Sequence, residues 1–147
     1  MELKKLMVDT KAAWVDFPGL PGFEVEVVNL SRKELNALRK RCISSKFDRK
    51  TRQLMEELDE EKFVVEFSKA VIKSWRGLTL GHLETLLLID TDGKDLNETL
   101  PYTKENAETL ISSSTEFDTW LNEVVFDLDN FRGGAERDVP KASGEAV

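Results

Sequence analysis

The first thirty residues alternate between apolar and polar positions in the way that short β-strands do. Residues 3–8 and 12–17 are two strand candidates. The stretch Phe-Glu-Val-Glu-Val at 23–27 places its apolar side chains on one face and its glutamates on the other, which predicts a half-buried strand. The sequence Pro-Gly-Leu-Pro-Gly at 18–22 predicts a turn, because neither a helix nor a continuous strand accommodates it. This part of the chain therefore predicts a small antiparallel β unit.

The pattern changes to helical spacing after residue 30. Ser31 and Glu34 have the spacing of a capping box, in which each side chain satisfies a free backbone N–H of the other residue. Apolar residues then recur at helical intervals, and they predict a helix over 32–44. The mixed stretch 46–58 leaves two structures open, an extension of the helix or a strand that rejoins the sheet.

The clearest helical pattern begins at Asp59. Acidic side chains occupy its first turn, where the helix dipole favours them. One apolar stripe follows at a spacing of four residues: Phe63, Phe67, Val71 and Trp75. Gly77 supplies a residue that closes helices in the left-handed conformation. The pattern predicts a helix over 60–76, with Trp75 as its last inward-facing residue.

Three more helices are predicted in the second half of the chain. Thr79 is a candidate cap for a short buried helix within 78–90, and Thr103 for a helix over 104–111. Phe117, Trp120 and Leu121 begin a final amphipathic helix whose apolar positions continue to Phe131. We therefore expect the α+β class, with a small N-terminal antiparallel β unit followed by a mainly α-helical bundle.

The domain prediction follows from the same pattern. Residues 1–131 are expected to form a single domain, β-rich over 1–30 and mainly helical over 31–131. Residues 132–147 are small and polar with little to bury, and they predict a disordered tail.

Charge is distributed unevenly along the 147 residues, whose net charge is −7. Residues 31–53 contain nine Lys or Arg and two acidic residues, a net of +7. Residues 1–30 contain three basic and five acidic residues, and residues 54–147 contain nine and twenty-one, so their nets are −2 and −12. This asymmetry favours binding to an acidic surface or self-association into a homo-oligomer, and it also fits a plain solvated helix face.

The residue types that enzymes need are scarce. His82 is the single histidine and Cys42 the single cysteine, which is too few for a zinc site and rules out an internal disulfide. Cys42 lies on the apolar side of its predicted helix, where a small buried residue is the ordinary role. The acidic turn at 90–101 departs from a calcium-binding loop at three positions, and no glycine-rich phosphate loop occurs. We expect no enzymatic activity, no cofactor and no metal.

The sequence also bears on the cellular location of the protein and on whether it binds nucleic acid. No apolar stretch approaches the roughly 20 residues that span a bilayer, and no signal peptide is visible, so we expect a cytosolic protein without membrane binding. The basic segment could lie along nucleic-acid phosphates. However, the chain as a whole is acidic and the segment lacks aromatics interleaved with the cations, so nucleic acid is the less favoured partner.

Three segments in a fixed order resemble the tail assembly chaperones of long-tailed, siphovirus-type bacteriophages. They are Ile-Lys-Ser-Trp-Arg-Gly-Leu at 72–78, Leu-Pro-Tyr-Thr-Lys-Glu-Asn at 100–106 and Asp-Asn-Phe at 129–131. The resemblance spans residues 5–131 and contains no catalytic signature. It implies a protein that binds the tape-measure protein and the tail-tube subunits in the host cell cytoplasm and is absent from the mature virion. A small structural or adaptor protein that completes the head–tail junction is the alternative.

A chaperone of this kind needs apolar and charged side chains that contact its clients. We expect such contacts from the aromatic turn of the β unit and from the basic helix, at Trp14, Phe17, Leu20, Phe23, Arg39 and Arg41.

Overall fold

The computed structural model describes residues 1–8 and 12–132. It confirms the α+β class, with small antiparallel sheets and several helices. Five strands are present in the described residues: β1 (Ala12–Asp16), β2 (Glu24–Val28), β3 (Ile43–Asp48), β4 (Gln53–Leu58) and β5 (Ile72–Arg76). The helices are α1 (Leu3–Leu6), α2 (Arg32–Arg41), α3 (Glu60–Val71), α4 (Leu80–Leu86), α5 (Lys104–Ser113), α6 (Thr115–Phe126) and a closing 3-10 turn (Leu128–Phe131).

The main sheet has the order β1-β2-β5, and both pairings are antiparallel. The alternation predicted for β2 is confirmed, because Val25 and Val27 are buried while the intervening Glu26 is half-buried on the opposite face. The turn before β2 is closed by the backbone N–H of Phe17, which donates to the carbonyl of Phe23. The antiparallel β unit is therefore present, with a third strand that arrives from later in the chain.

That third strand corrects the predicted helix over 60–76. The helix ends at Val71, and residues Ile72–Arg76 pair with β2 instead. The pairing contains a bulge: Trp75 lies opposite Val25 and Ser74 opposite Glu26, but Ile72 lies opposite Val27, which leaves Lys73 as the extra residue. Because of the bulge, the buried residues of β5 are three positions apart, a spacing that resembles a helix.

Trp75 joins this strand to the segment before α5. Its indole Nε1–H donates to the carbonyl of Leu100 at 3.0 Å. Its ring meets the edge of Tyr102 at 5.3 Å, and the Tyr102 hydroxyl donates to the carbonyl of Ile72. Burial and the nearby acids Glu105 and Glu108 raise the pKa of Tyr102. Trp75 is thus an inward-facing residue as predicted, but it faces inward from a strand.

The helix starts agree with the predicted caps. Ser31 and Glu34 form the complete capping box of α2, and Asp59, Thr79 and Thr103 cap the helices that follow them. The helix α2 ends at Arg41 rather than at residue 44, because Ile43 already begins a strand. Residues 3–6 form a short helix and not the predicted strand, and none of its residues is buried.

The helices and the inner face of the main sheet share one core. Its largest fully buried side chains include Phe23, Phe117, Leu38, Leu78, Leu110 and Leu121. The predicted tail falls almost entirely on residues 133–147, which lie outside the described residues.

Candidate functional site: an exposed hairpin

Residues 43–58 form an antiparallel hairpin, β3 and β4, which is a sheet of its own. Of the two structures left open for residues 46–58, a helix or a strand, the structure has strands. These strands pair with each other, and neither rejoins the main sheet. The backbone N–H of Asp59 donates to the carbonyl of Cys42 at 2.8 Å, which closes the base of the hairpin between α2 and α3. We call residues 43–58 the hairpin.

One face of the hairpin is apolar and exposed. Ile43 lies opposite Leu58, and Phe47 lies opposite Leu54. These two pairs are four residues apart along each strand, so their side chains point to the same side. The side chains of Phe47 and Leu54 are 61% and 74% exposed. Apolar side chains grouped on a surface in this way mark an interaction site more often than scattered ones do.

The tip of the hairpin is strongly basic. Arg49, Lys50 and Arg52 are exposed, and none of the three forms an ion pair with another described residue. The turn is fixed by Asp48, whose carboxylate accepts the backbone N–H of Lys50 and whose carbonyl accepts that of Arg52. Arg52 has a φ of 57°, so its backbone is in the left-handed region. The tip therefore presents three cations beside the apolar face, which suits an acidic partner.

Three of the residues predicted to contact clients lie in the core. Phe17 and Leu20 are buried and Phe23 has no exposed surface. The ring of Phe17 contacts those of Phe23, Phe117 and Trp120, with centroids 4.9 to 6.1 Å apart. The aromatic turn of the β unit therefore anchors α6 and does not present these three side chains at the surface.

Trp14 lies on the outer face of the main sheet. The guanidinium carbon of Arg76 is 4.1 Å from the centroid of its indole ring, a cation–π contact. The same guanidinium donates to Glu24 at 2.6 Å. This hydrogen bond lowers the pKa of the Glu24 carboxyl against the opposing effect of burial. Trp14 is half-buried in this arrangement, and the structure places it apart from the three core residues.

Arg39 and Arg41 lie at the end of α2, next to the hairpin base. The Arg39 guanidinium is 5.9 Å from the ring centroid of Phe63, and Arg41 is within 3.8 Å of Glu66. Both arginines thus lean against α3 while they remain exposed. They are the predicted contact residues nearest in sequence to the exposed apolar face.

The two residues considered for chemistry have packing and capping roles. Cys42 is buried at the hairpin base. The Nδ1 atom of His82 accepts the backbone N–H of Thr79, and the Thr79 hydroxyl accepts that of His82, so the two residues form the capping box of α4. Across residues 1–8 and 12–132, no group of three or more His, Cys, Asp or Glu side chains could hold a metal ion. None of the helices within these ranges is long and apolar enough to span a membrane.

Sequence reasoning missed the apolar face because its signal is weak. Three residues separate Ile43 from Phe47, and three separate Leu54 from Leu58. All of these intervening residues except Met55 are polar. The turn between them, Arg-Lys-Thr-Arg, contains no Gly, Asn or Pro to mark a hairpin. The excess of cations in 31–53 was visible, and this segment includes the tip of the hairpin.

Each of the three segments that resemble tail assembly chaperones contributes residues that belong to the core or pack against it. The first two meet where Trp75 donates to Leu100, and Leu100 in turn donates its N–H to the carbonyl of Leu78 at 2.7 Å. In the third, Phe131 is buried and Asn130 donates to the carbonyl of Val124 at the end of α6. The contacts of these segments described here are packing contacts within the molecule.

Comparison with known protein families gives a match over most of the chain. Residues 31–141 match the family described as YdaY prophage protein. No curated protein and no solved structure matches the chain. The matched range covers most of the chain and includes the whole hairpin. The chain therefore belongs to the YdaY prophage protein family and is derived from a phage.

Proposed function

We propose that this chain is a tail assembly chaperone that acts without enzymatic chemistry. It binds the tape-measure protein and the tail-tube subunits of its phage in the host cytoplasm, and it is absent from the mature virion. The phage origin and the resemblance of the three segments support this proposal. The observation that carries it is the hairpin, whose apolar face and basic tip offer a surface for client chains.

The hairpin suits a chaperone because it can hold an apolar client without opening the core. Phe47 and Leu54 are already exposed, so contact with a client buries apolar surface at no cost in unfolding. The cations of the tip add an attraction for acidic segments that acts at longer range. Together these features favour reversible binding, which a protein that leaves the assembled tail requires.

Co-expression with the tape-measure and tail-tube proteins of the same prophage tests the proposal. We expect the wild-type chain to increase the soluble fraction of these proteins and to co-purify with them. The double variant Phe47→Ser/Leu54→Ser should lose both effects. Leu88→Ser is the matched control, because Leu88 is a fully exposed leucine in the loop after α4 and should be dispensable. If neither client gains solubility or forms a complex with the wild-type chain, the proposal is wrong.

The location of the protein separates a chaperone from a structural adaptor. An adaptor at the head–tail junction stays in the particle, whereas a chaperone leaves it. Mass spectrometry of purified virions should therefore find no peptide of this chain. Its detection at a fixed copy number would favour the adaptor.

The tip also favours a second candidate, a nucleic-acid-binding regulator. The exposed Phe47 lies near the end of β3, just before the tip cations, which form no ion pair with another described residue. Base stacking combined with phosphate contact uses these two kinds of group. Fluorescence anisotropy with single-stranded and duplex probes at low salt separates the candidates. A chaperone should show no saturable binding, whereas a regulator should bind and should weaken as salt is raised.

A further inference from the structure

The hairpin has one exposed apolar face, as expected of a sheet that packs against a second layer. An isolated two-stranded sheet is at best marginally stable in water, and sheets gain stability by packing one face against another element. No residue of β3 or β4 is buried, although Ile43, Phe47 and Leu54 are apolar. The apolar face therefore lacks a second layer within the part of the chain that the structure describes.

The tip of the hairpin is basic, and its second strand continues into an acidic first turn of α3. The tip has Arg49, Lys50 and Arg52, while the base leads directly into Asp59, Glu60 and Glu61 at the start of α3. The side chains of Glu60 and Glu61 are exposed, and neither forms an ion pair with another described residue. Three cations occupy the neighbouring end of α2. Arg39 leans on Phe63 and Arg41 lies near Glu66, whereas Lys40 is exposed and forms no ion pair with another described residue.

We propose that the apolar face of the hairpin is covered by the hairpin of a second copy of this chain. The two hairpins pack face to face about a two-fold axis, with the tip of each over the base of the other. This arrangement stacks the Phe47–Leu54 pair of one copy on the Ile43–Leu58 pair of its partner. It also brings both basic tips to acidic bases, so one surface is complementary to itself, as a two-fold dimer requires.

In the middle of the interface, the two-fold axis brings one carboxylate of each copy towards its counterpart, which weakens the association. Ser45 and Glu56 lie opposite each other between the two apolar pairs, and they point to the same face. The strand β4 has no further strand beside it among the described residues, so the Glu56 carboxylate can reach water at the side of the interface.

The area of contact predicts a weak dimer. Two six-residue strands give a footprint of roughly 20 by 10 Å per copy. Stable specific interfaces bury about 800 Å² per partner, several times this footprint. Association should therefore depend on protein concentration, and salt should weaken it because the tip and base charges are exposed. A weak dimer also leaves the face available to a partner that binds it more tightly.

The dimer needs no client, so it goes beyond the proposed function and can fail independently of it. Sedimentation velocity of the purified full-length chain, measured over a range of concentrations at low and high salt, tests it. The wild-type chain should shift from monomer to dimer as concentration rises, and high salt should move the shift to higher concentration. Phe47→Ser should remain monomeric, while Leu88→Ser should behave as wild type.

A charge exchange tests the tip-over-base arrangement. Arg49→Glu/Arg52→Glu places acids at both tips, and Glu60→Lys/Glu61→Lys places cations at both bases, so each variant alone should associate several-fold more weakly. An equimolar mixture of the two variants should dimerise again, because each altered end then meets its opposite. Arg32→Glu/Lys33→Glu is the matched control, since it makes the same charge change at the start of α2, outside the hairpin. Circular dichroism of each variant confirms that the fold is retained.

Three outcomes would overturn the inference. The first is a wild-type chain that stays monomeric at all concentrations in low salt, including one that binds clients through the hairpin. The second is a dimer that survives Phe47→Ser, which would place the interface elsewhere. The third is a mixture of the two charge variants that associates no better than either variant alone.

Discussion

At the scale of single residues, Gly77 has two reasons to be glycine. Its φ of 73° is in the region that side chains disfavour, and a Cβ atom there would overlap the carbonyl oxygen of Gly22. The close approach connects the end of β5 to the turn before β2. The glycine that was expected to end a helix thus allows two turns of the main sheet to touch.

Gly77→Ala should destabilise the protein more than a positive φ alone explains. We expect a loss of at least about 2 kcal/mol in the free energy of unfolding, because the backbone must also move away from Gly22. Gly93→Ala is the matched control: its φ is 74°, but nothing lies within 4 Å of the added Cβ, so only the conformational strain of about 1 kcal/mol applies. Urea unfolding of both variants measures the difference. Equal losses would show that the contact with Gly22 relaxes freely.

At the scale of elements, the sequence was informative wherever a cap or an alternation acts locally. The caps of α2, α3, α4 and α5 and the alternating strand β2 are as predicted, because each depends on residues a few positions apart. The strand β5 was mistaken for a helix because its bulge at Lys73 replaces the two-residue period, and its partner β2 is more than forty residues away. Pairing over such a distance leaves no local signal.

The candidate site was harder to predict than the fold. Phe17, Leu20 and Phe23 were expected at a partner surface, but aromatic residues in a turn can equally close a core. Here Phe17 and Phe23 pack against α6, and Leu20 is buried in the core. The hairpin has polar residues on both faces and a turn without glycine, so neither its strands nor its register can be recognised from the pattern. The basic segment 31–53 drew attention to this part of the chain, but it did not indicate a hairpin.

The ion pair between Glu24 on β2 and Arg76 on β5 makes the stability of the folded state depend on pH. Arg76 donates to Glu24 and thereby lowers the pKa of its carboxyl below the ordinary value of 4.5. The folded state therefore favours the ionised carboxyl. The resulting stabilisation is present above pH 4.5 and is lost as pH falls through the lower pKa of the folded state.

Glu24→Gln should therefore make the free energy of unfolding fall less steeply from about pH 5 to about pH 3. Glu26→Gln is the control, because it removes a carboxylate from the same strand and leaves the bond between Arg76 and Glu24 in place. Urea midpoints across this range give the slopes. Identical slopes for the two variants would contradict the prediction.

At the scale of the whole molecule, the hairpin lies outside the hydrophobic core and is exposed to solvent. The core residues come from the main sheet, the helices and the turns that join them, and none of them belongs to the hairpin. The basic block of the sequence is divided between α2 and the hairpin tip, so the positive surface lies beside the exposed apolar face.

Replacement of residues 43–58 by a short glycine–serine linker should leave a folded protein. The backbone of Cys42 already reaches Asp59, so the linker spans a distance that the structure closes with one hydrogen bond. We expect cooperative thermal unfolding with a midpoint within a few degrees of wild type, since little buried surface is lost. Client binding and dimer formation should both disappear. A shortened chain that no longer unfolds cooperatively would show that the hairpin supports the core.

The position of Cys42 has a practical consequence. The single thiol of the chain is 1% exposed and lies at the hinge from which the hairpin extends. A thiol reagent can reach it only when this hinge opens, so the labelling rate counts opening events in the unmodified protein. If a client or a second copy holds the hairpin in place, labelling should slow as either one is added. The rate at which Cys42 is labelled thus reports on opening at the base of the hairpin.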